Sequence, residues 1–487
     1  GVGALIPAHI DRPVMARVWL LLATSEETLW CAAFVAQALL WPALGILSAL
    51  LWNHLFPNLR QHAFVIACVA SAPFMTKVHM LTLTISLGPL LSVILGYCAL
   101  LLLLRFIRAD DGFGRVALAL SLPLLGFAIV ITEYALPVVM IMLVLFFAYA
   151  RDPFHPAARI RAILVSVLST LIAGAAYTAY SLMAEPGARP DVHPLHFLKF
   201  GAYHFLRLPF ELTSAMWRGV LGGLGTSLGQ VHWTSKAGLA ATVYGAVVAA
   251  LLVYGCRNRR SDTPPAEGFR YGRGVFLLVL ALGVGLIPTV AMNRRPWDVD
   301  DGMSSRFGLP VLPITAALMV LIGIGLVRER FGAILIIIVG FAAGNATLTA
   351  VWSAVQERTA MTIVGNALQA HMSSSDGYTV AVIAAPDRTL GPQHPWELTA
   401  RLAATWPSEV RDKFWAYRED QAARIFGTRG DCRRPSEINA EIRMGPTFHR
   451  LVTRKGQLDH LLWVARRPDG TPAIEPYCLR GMPAAQG

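Results

Sequence analysis

Three arginines and three aspartates crowd the stretch NRRPWDVDDGMSSRF (293–307): Arg294, Arg295 and Arg306 against Asp298, Asp300 and Asp301. A guanidinium is a planar fork of donors that matches phosphate oxygens two at a time, so this stretch is a candidate site for a lipid phosphate or diphosphate. Its carboxylates are suited to hold a divalent cation or to shield the arginines. Equal numbers of each sign also read as a loop that neutralises itself. Glu133, in VITEYALP between two apolar runs, must find a partner or water, which makes it a candidate contact to a substrate or an ordinary turn residue. Lys77 and His79 lie near the end of another apolar run. A cation there suits a phosphate headgroup, or simply reaches out to the interface. Asp11, with Arg12 and Pro13 beside it, could take a proton from an acceptor hydroxyl as a general base. The same position also favours a plain helix start.

Of six cysteines, Cys31, Cys68, Cys98 and Cys256 sit in or beside apolar stretches, where a thiol behaves as a small hydrophobe. Cys432 and Cys478 are the pair in the polar C-terminal region, and can form a disulfide if that region faces an oxidising compartment. No CxxC or His-rich spacing points to a metal site, and no cofactor is required.

The elements that must position these residues follow from hydropathy. A chain of 487 residues that is 55% hydrophobic and 15% charged is too apolar to cover itself with a polar surface. Apolar runs long enough to cross a bilayer as helices fall near 29–52, 63–83, 86–107, 115–132, 134–150, 162–183, 237–255, 274–292, 308–327 and 331–352. The net charge of +12 gathers in short clusters between these runs, as topology signals do, rather than in a basic stripe with aromatics for nucleic acid. Arg105, Arg108 and Arg115, then Arg151, Arg159 and Arg161, then Arg257, Arg259, Arg260, Arg270 and Arg273, and finally Arg328 and Arg330 fall on one side, which is read as the cytoplasm. Residues 1–28, 184–236, 293–307 and the C-terminal region then face outward. Within 184–236, His196 to Trp217 reads as amphipathic, either lying in the interface or packing over the bundle. The chain starts with Gly rather than Met and its first residues do not have the form of a cleavable signal peptide, which leaves open an upstream segment.

The expected fold is thus an α-helical polytopic membrane protein with about ten transmembrane helices (1–352) and a small extracytoplasmic α/β domain (353–487). In that domain the last helix continues to about His371, and YTVAVIAAP (378–386) reads as a buried strand. Trp396–Trp406 and Ser408–Ile425 read as helical, and Leu461–Ala465 with Ala473–Leu479 as a hairpin around Pro468, Asp469 and Gly470.

With these pieces in order, the chain resembles the C-type glycosyltransferases, membrane enzymes that move a sugar from a polyprenyl-phosphate carrier to an acceptor on the outer face. The resemblance rests on DRPVMARVWLLL (11–22), on TEYALPVV (132–139), similar to the family's Lys/Thr-Glu-x-x-x-x-Pro stretch, and on SRFGLPVLPITAAL (305–318), similar to its Arg-Tyr-x-x-Pro-x-x-Pro run. It implies a multi-pass protein of a bacterial cytoplasmic membrane whose partners are membrane lipid and a polyprenyl-phosphate sugar. Arg306, with Arg294 or Arg295 and Lys77, would hold the carrier phosphate. Glu133 and His79 would contact substrate, and Asp11 or an acid upstream of Gly1 would deprotonate the acceptor. Two other classes fit the same composition: an accessory subunit that binds a partner protein through its C-terminal domain, and a transporter or flippase.

Overall fold

The computed structural model describes residues 26–72, 83–108, 112–150, 156–183, 207–221, 236–258, 271–292, 304–326 and 329–372, then 378–384, 398–399, 402–403, 406–411, 413–419, 422–423, 429, 458–467 and 471–477. The chain falls into two compact units, one formed by Trp30–Ala184 with Pro190–Trp352, the other centred on Ser353–Gly487.

Among its described residues the first unit consists of helices joined by short turns, with no strand. Its helices are α1 (Glu26–Leu55), α2 (Ala63–Ser71), α3 (Leu83–Arg108), α4 (Gly112–Ile131), α5 (Leu136–Ala150) and α6 (Pro156–Met183). They are followed by α7 (207–221), α8 (Lys236–Asn258), α9 (Tyr271–Gly285), α10 (Ile287–Met292), α11 (Leu312–Leu326) and α12 (Glu329–Met372). Among the described residues, five stretches are long and apolar enough to cross a membrane: Ala38–Leu55, Leu87–Arg108, Gly112–Ile131, Ala157–Leu182 and Gly272–Thr289.

Sequence composition explains why these runs stay helical with Pro42, Pro89 and Pro123 inside them. In an apolar surrounding a helix keeps its remaining backbone bonds because nothing else can satisfy them, so a proline inside a run need not end it. Ser48, Ser166, Thr170, Thr178, Thr213, Thr315 and Thr347 each donate to the carbonyl four residues back, hiding their hydroxyls within the helix itself. A proline at a less forgiving place splits the expected run 274–292. Pro288 cannot donate to the preceding turn, and the chain passes through a turn at Leu286 between α9 and α10.

α3 is the centre of this unit. Leu90, Val93, Tyr97, Leu100, Leu103, Leu104 and Ile107 are all buried along it, where it packs on α4, α5 and α6. α5 lies against α6 and α9, and α9 against α11. Outer surfaces are apolar as well. On α6, Ile160 is 68% exposed, Leu171 64% and Leu182 82%, while Ala162, Val165, Ala173 and Tyr180 face inward. A surface of that kind suits lipid rather than water. The stretch expected to be amphipathic, His196–Trp217, is described from residue 207 on. There Leu208, Leu212, Met216 and Val220 form one buried stripe of α7 within the main core, so α7 packs on the bundle.

The second unit holds a four-stranded sheet in the order β2-β1-β3-β4, made of β1 (Tyr378–Ile383), β2 (Phe414–Arg418), β3 (Leu458–Arg466) and β4 (Pro472–Pro476). β1 runs parallel to both β2 and β3, and β4 closes an antiparallel hairpin on β3. Ala381, Ile383, Phe414, Ala416, Leu462 and Val464 cover one face, against Met361, Val364 and Leu368 of α12 and against Leu398, Leu402 and Trp406. Val380, Val382, Tyr417, Leu461, Trp463 and Tyr477 cover the other, with Ala422 from the β2 to β3 connection. The described residues of the two connections thus fall on opposite faces of the sheet. One expectation fails here: Ser408–Ile425 is not a helix. Ser408–Arg411 is helical, as are Glu419, Ala422 and Ala423, but between them Phe414–Arg418 forms β2 because its aromatic and apolar residues are buried from both sides beside β1.

Candidate functional site

Two turns far apart in sequence meet at one end of the helical unit. The first joins α4 to α5. α4 stops at Ile131, Thr132 is extended (φ −158°, ψ 157°), and Glu133–Ala135 form a single 3-10 turn. Pro137, second in α5, starts the next helix where its missing N–H costs nothing. The second turn is the 3-10 segment Ser304–Val311, which leads into α11. The two 3-10 segments pack against each other, and the second also touches α3 and α5.

Glu133 is half-buried in this corner. Its Oε2 accepts a hydrogen bond of 2.7 Å from the hydroxyl of Tyr180, near the end of α6. Tyr180 is 3% exposed and lies against Tyr177, with ring centroids 6.3 Å apart. Thr132 is fully buried, and its Oγ1 has no partner among the described residues. Two hydroxyls of α3 reach the same corner. Ser92 Oγ lies 2.8 Å from the carbonyl oxygen of Ala128 and 3.1 Å from that of Thr132, and Tyr97 donates to the carbonyl oxygen of Pro310 at 2.7 Å.

The opposite end of the same helices is cationic. Arg108, at the end of α3, donates to the carbonyl of His54 at the end of α1 (2.9 Å). Arg105 lies 5.9 Å from the Phe113 ring and Arg161 5.9 Å from that of Phe106, which gathers the ends of α3, α4 and α6. The bundle thus has an arginine end and an end carrying Glu133, Tyr180 and the two turns.

Of the residues singled out from sequence, Glu133 is in this corner with its contacts defined. Arg306 has its main chain in the Ser304–Val311 turn; its side chain lies outside the described residues, as do Asp11, Lys77, His79, Arg294, Arg295, Cys432 and Cys478. The structure adds Ser92, Tyr97, Thr132 and Tyr180. Ser92 and Tyr97 carry no distinguishing signal inside an apolar helix, where hydroxyls usually bond their own helix. Tyr180, at the end of a span, reads as an interfacial aromatic. Among the described residues no three His, Cys, Asp or Glu side chains come together as a metal site would require.

No family model matches this sequence, and no curated protein or solved structure matches it either.

Proposed function

We propose that the chain is a multi-pass membrane glycosyltransferase of the C-type fold, moving a sugar from a lipid-phosphate carrier to an acceptor on the outer face. One observation carries this reading. TEYALPVV (132–139) and SRFGLPVLPITAAL (305–318), the two stretches that most resemble the family, are separated by some 170 residues, yet they pack together at one end of the bundle. The remote arginine end supports the accompanying orientation, with Arg105, Arg108 and Arg161 in the cytoplasm and both turns outside.

In this reading Arg306, with Arg294, Arg295 and Lys77, clamps the carrier phosphate and stabilises the charge that develops on it as the glycosidic bond breaks. Glu133, fixed by Tyr180, and His79 hold substrate hydroxyls. Asp11 takes the acceptor proton. Inversion by direct displacement needs one base and a phosphate leaving group, not the paired carboxylates of hydrolases. An accessory subunit would instead need an exposed apolar patch on the sheet unit; among the described residues there, Trp463, Tyr417 and Tyr477 are buried.

The test is transfer from a radiolabelled polyprenyl-phosphate sugar by the purified chain in proteoliposomes. Arg306→Ala abolishes transfer with expression and melting temperature intact. Unchanged transfer in that variant removes the phosphate clamp and the reading with it.

A further inference from the structure

The two turns are held by one helix. α4 ends at Ile131, so its last carbonyls have no ladder donors beyond the chain reversal. The Thr132 N–H reaches the Ala128 carbonyl only at 3.4 Å, and Ser92 of α3 supplies the short contact there, shared with the carbonyl of Thr132. The second turn lacks a local donor altogether at one carbonyl. Pro310 is followed three residues later by Pro313, which has no N–H to give. The α-helix proper starts at Leu312, too late to supply one from the residue after. The Pro310 carbonyl takes its hydrogen bond from Tyr97.

Ser92 and Tyr97 are five residues apart on α3. On an α-helix that spacing corresponds to about 7.5 Å of rise and about 140° of rotation, enough to address two different neighbours. Both side chains are fully buried. The Pro310 carbonyl has no donor in its own turn, and a buried carbonyl of that kind strongly prefers the geometry that satisfies it; at the first turn the Ser92 hydroxyl adds a short contact to the long one that Ala128 takes from the Thr132 N–H.

We infer that Ser92 and Tyr97 are positioning residues, which together fix the spacing between the Glu133 turn and the Arg306 turn from a single rigid helix. This deepens the transferase reading and rests on it for the consequence to catalysis. Neither residue touches substrate. They set where the carboxylate of one turn stands relative to the guanidinium-bearing turn, and small misplacements of that kind are costly in rate.

The test uses the full chain in proteoliposomes and the variants Tyr97→Phe, Ser92→Ala and Ser92→Thr. Tyr97→Phe and Ser92→Ala are expected to lower kcat by about ten-fold or more, with the donor KM within about two-fold of wild type and a lowered melting temperature in a chain that still folds. Ser92→Thr, which keeps the hydroxyl, restores the rate. Amide hydrogen exchange accelerates in peptides covering 128–136 for Ser92→Ala and 304–314 for Tyr97→Phe. If wild type transfers sugar and both hydroxyl deletions keep its kcat, the inference is overturned while the transferase reading stands. If wild type transfers from no polyprenyl-phosphate sugar, the transferase reading fails and exchange alone decides the inference. Faster exchange confined to the two turns then supports it, and unchanged exchange overturns it.

Discussion

A carboxylate at the end of an apolar bundle is expensive unless something holds it, and Glu133 is held by the Tyr180 hydroxyl. A hydrogen bond to a charged group is worth roughly 1.5–3 kcal/mol, and Tyr180→Phe removes this one without removing the ring. In the transfer assay Tyr180→Phe should lose about ten-fold in kcat/KM, and Glu133→Gln at least as much. Wild-type rates in both would take Glu133 out of the site. His62 offers a separate test outside the spans. Burial lowers its pKa from 6.5 to about 4, and its Nδ1 has no partner among the described residues. A histidine whose folded pKa is depressed favours the fold in its neutral form. Its contribution is complete above pH 6.5 and is lost as pH falls towards 4. Thermal melting in detergent should therefore decline over that window, and His62→Gln should flatten the decline. Glu133 was legible from sequence because a lone carboxylate between apolar runs demands an explanation. Tyr180 was not, because its partner stands 47 positions away and an aromatic at a helix end has a simpler reason to be there.

Helix against helix, the informative positions are glycines. On α12, a Cβ at Gly344 would stand 2.8 Å from the Cα of Gly245 on α8, and one at Gly340 2.8 Å from the Cα of Ala249. Small residues four apart on both helices let the backbones touch, which is how helices associate where water gives no driving force. Gly344→Leu should push α8 off α12, lowering the melting temperature by an amount equivalent to about 1–3 kcal/mol. Gly174→Ala is the control. A Cβ there meets nothing within 4 Å, so its melting temperature should be unchanged or slightly raised. A Gly344→Leu variant as stable as wild type would contradict the close crossing. Further along α12, a Cβ at Gly365 would collide with the carbonyl oxygen of Leu402, which ties that half of the helix to the sheet. At this scale the sequence was a good guide to β1, to the β3–β4 hairpin and to α12 reaching the end near His371. It misled at β2, whose strand is decided by parallel pairing with β1, a contact that local periodicity cannot register.

For the whole molecule, apolar runs declare a helical membrane-like protein, while the juxtapositions that make a site do not. Tyr97 and Pro310 are 213 residues apart, and their contact depends on how several helices pack. Arginine placement is the sequence feature that does act at this scale, and its echo in the structure is the cluster of Arg105, Arg108 and Arg161 at the end remote from Glu133. The transferase reading needs that polarity, because a sugar donor on the outer face must meet outward-facing turns. Cysteine labelling in intact cells with a membrane-impermeant maleimide tests it most directly, using Thr471→Cys in the β3–β4 hairpin and Arg115→Cys at the arginine end, each in a background without the native cysteines. Labelling of the first in intact cells, and of the second only after the membrane is breached, is the predicted result. The reverse pattern would put the last hundred residues in the cytosol and leave the proposed chemistry on the wrong side of the bilayer.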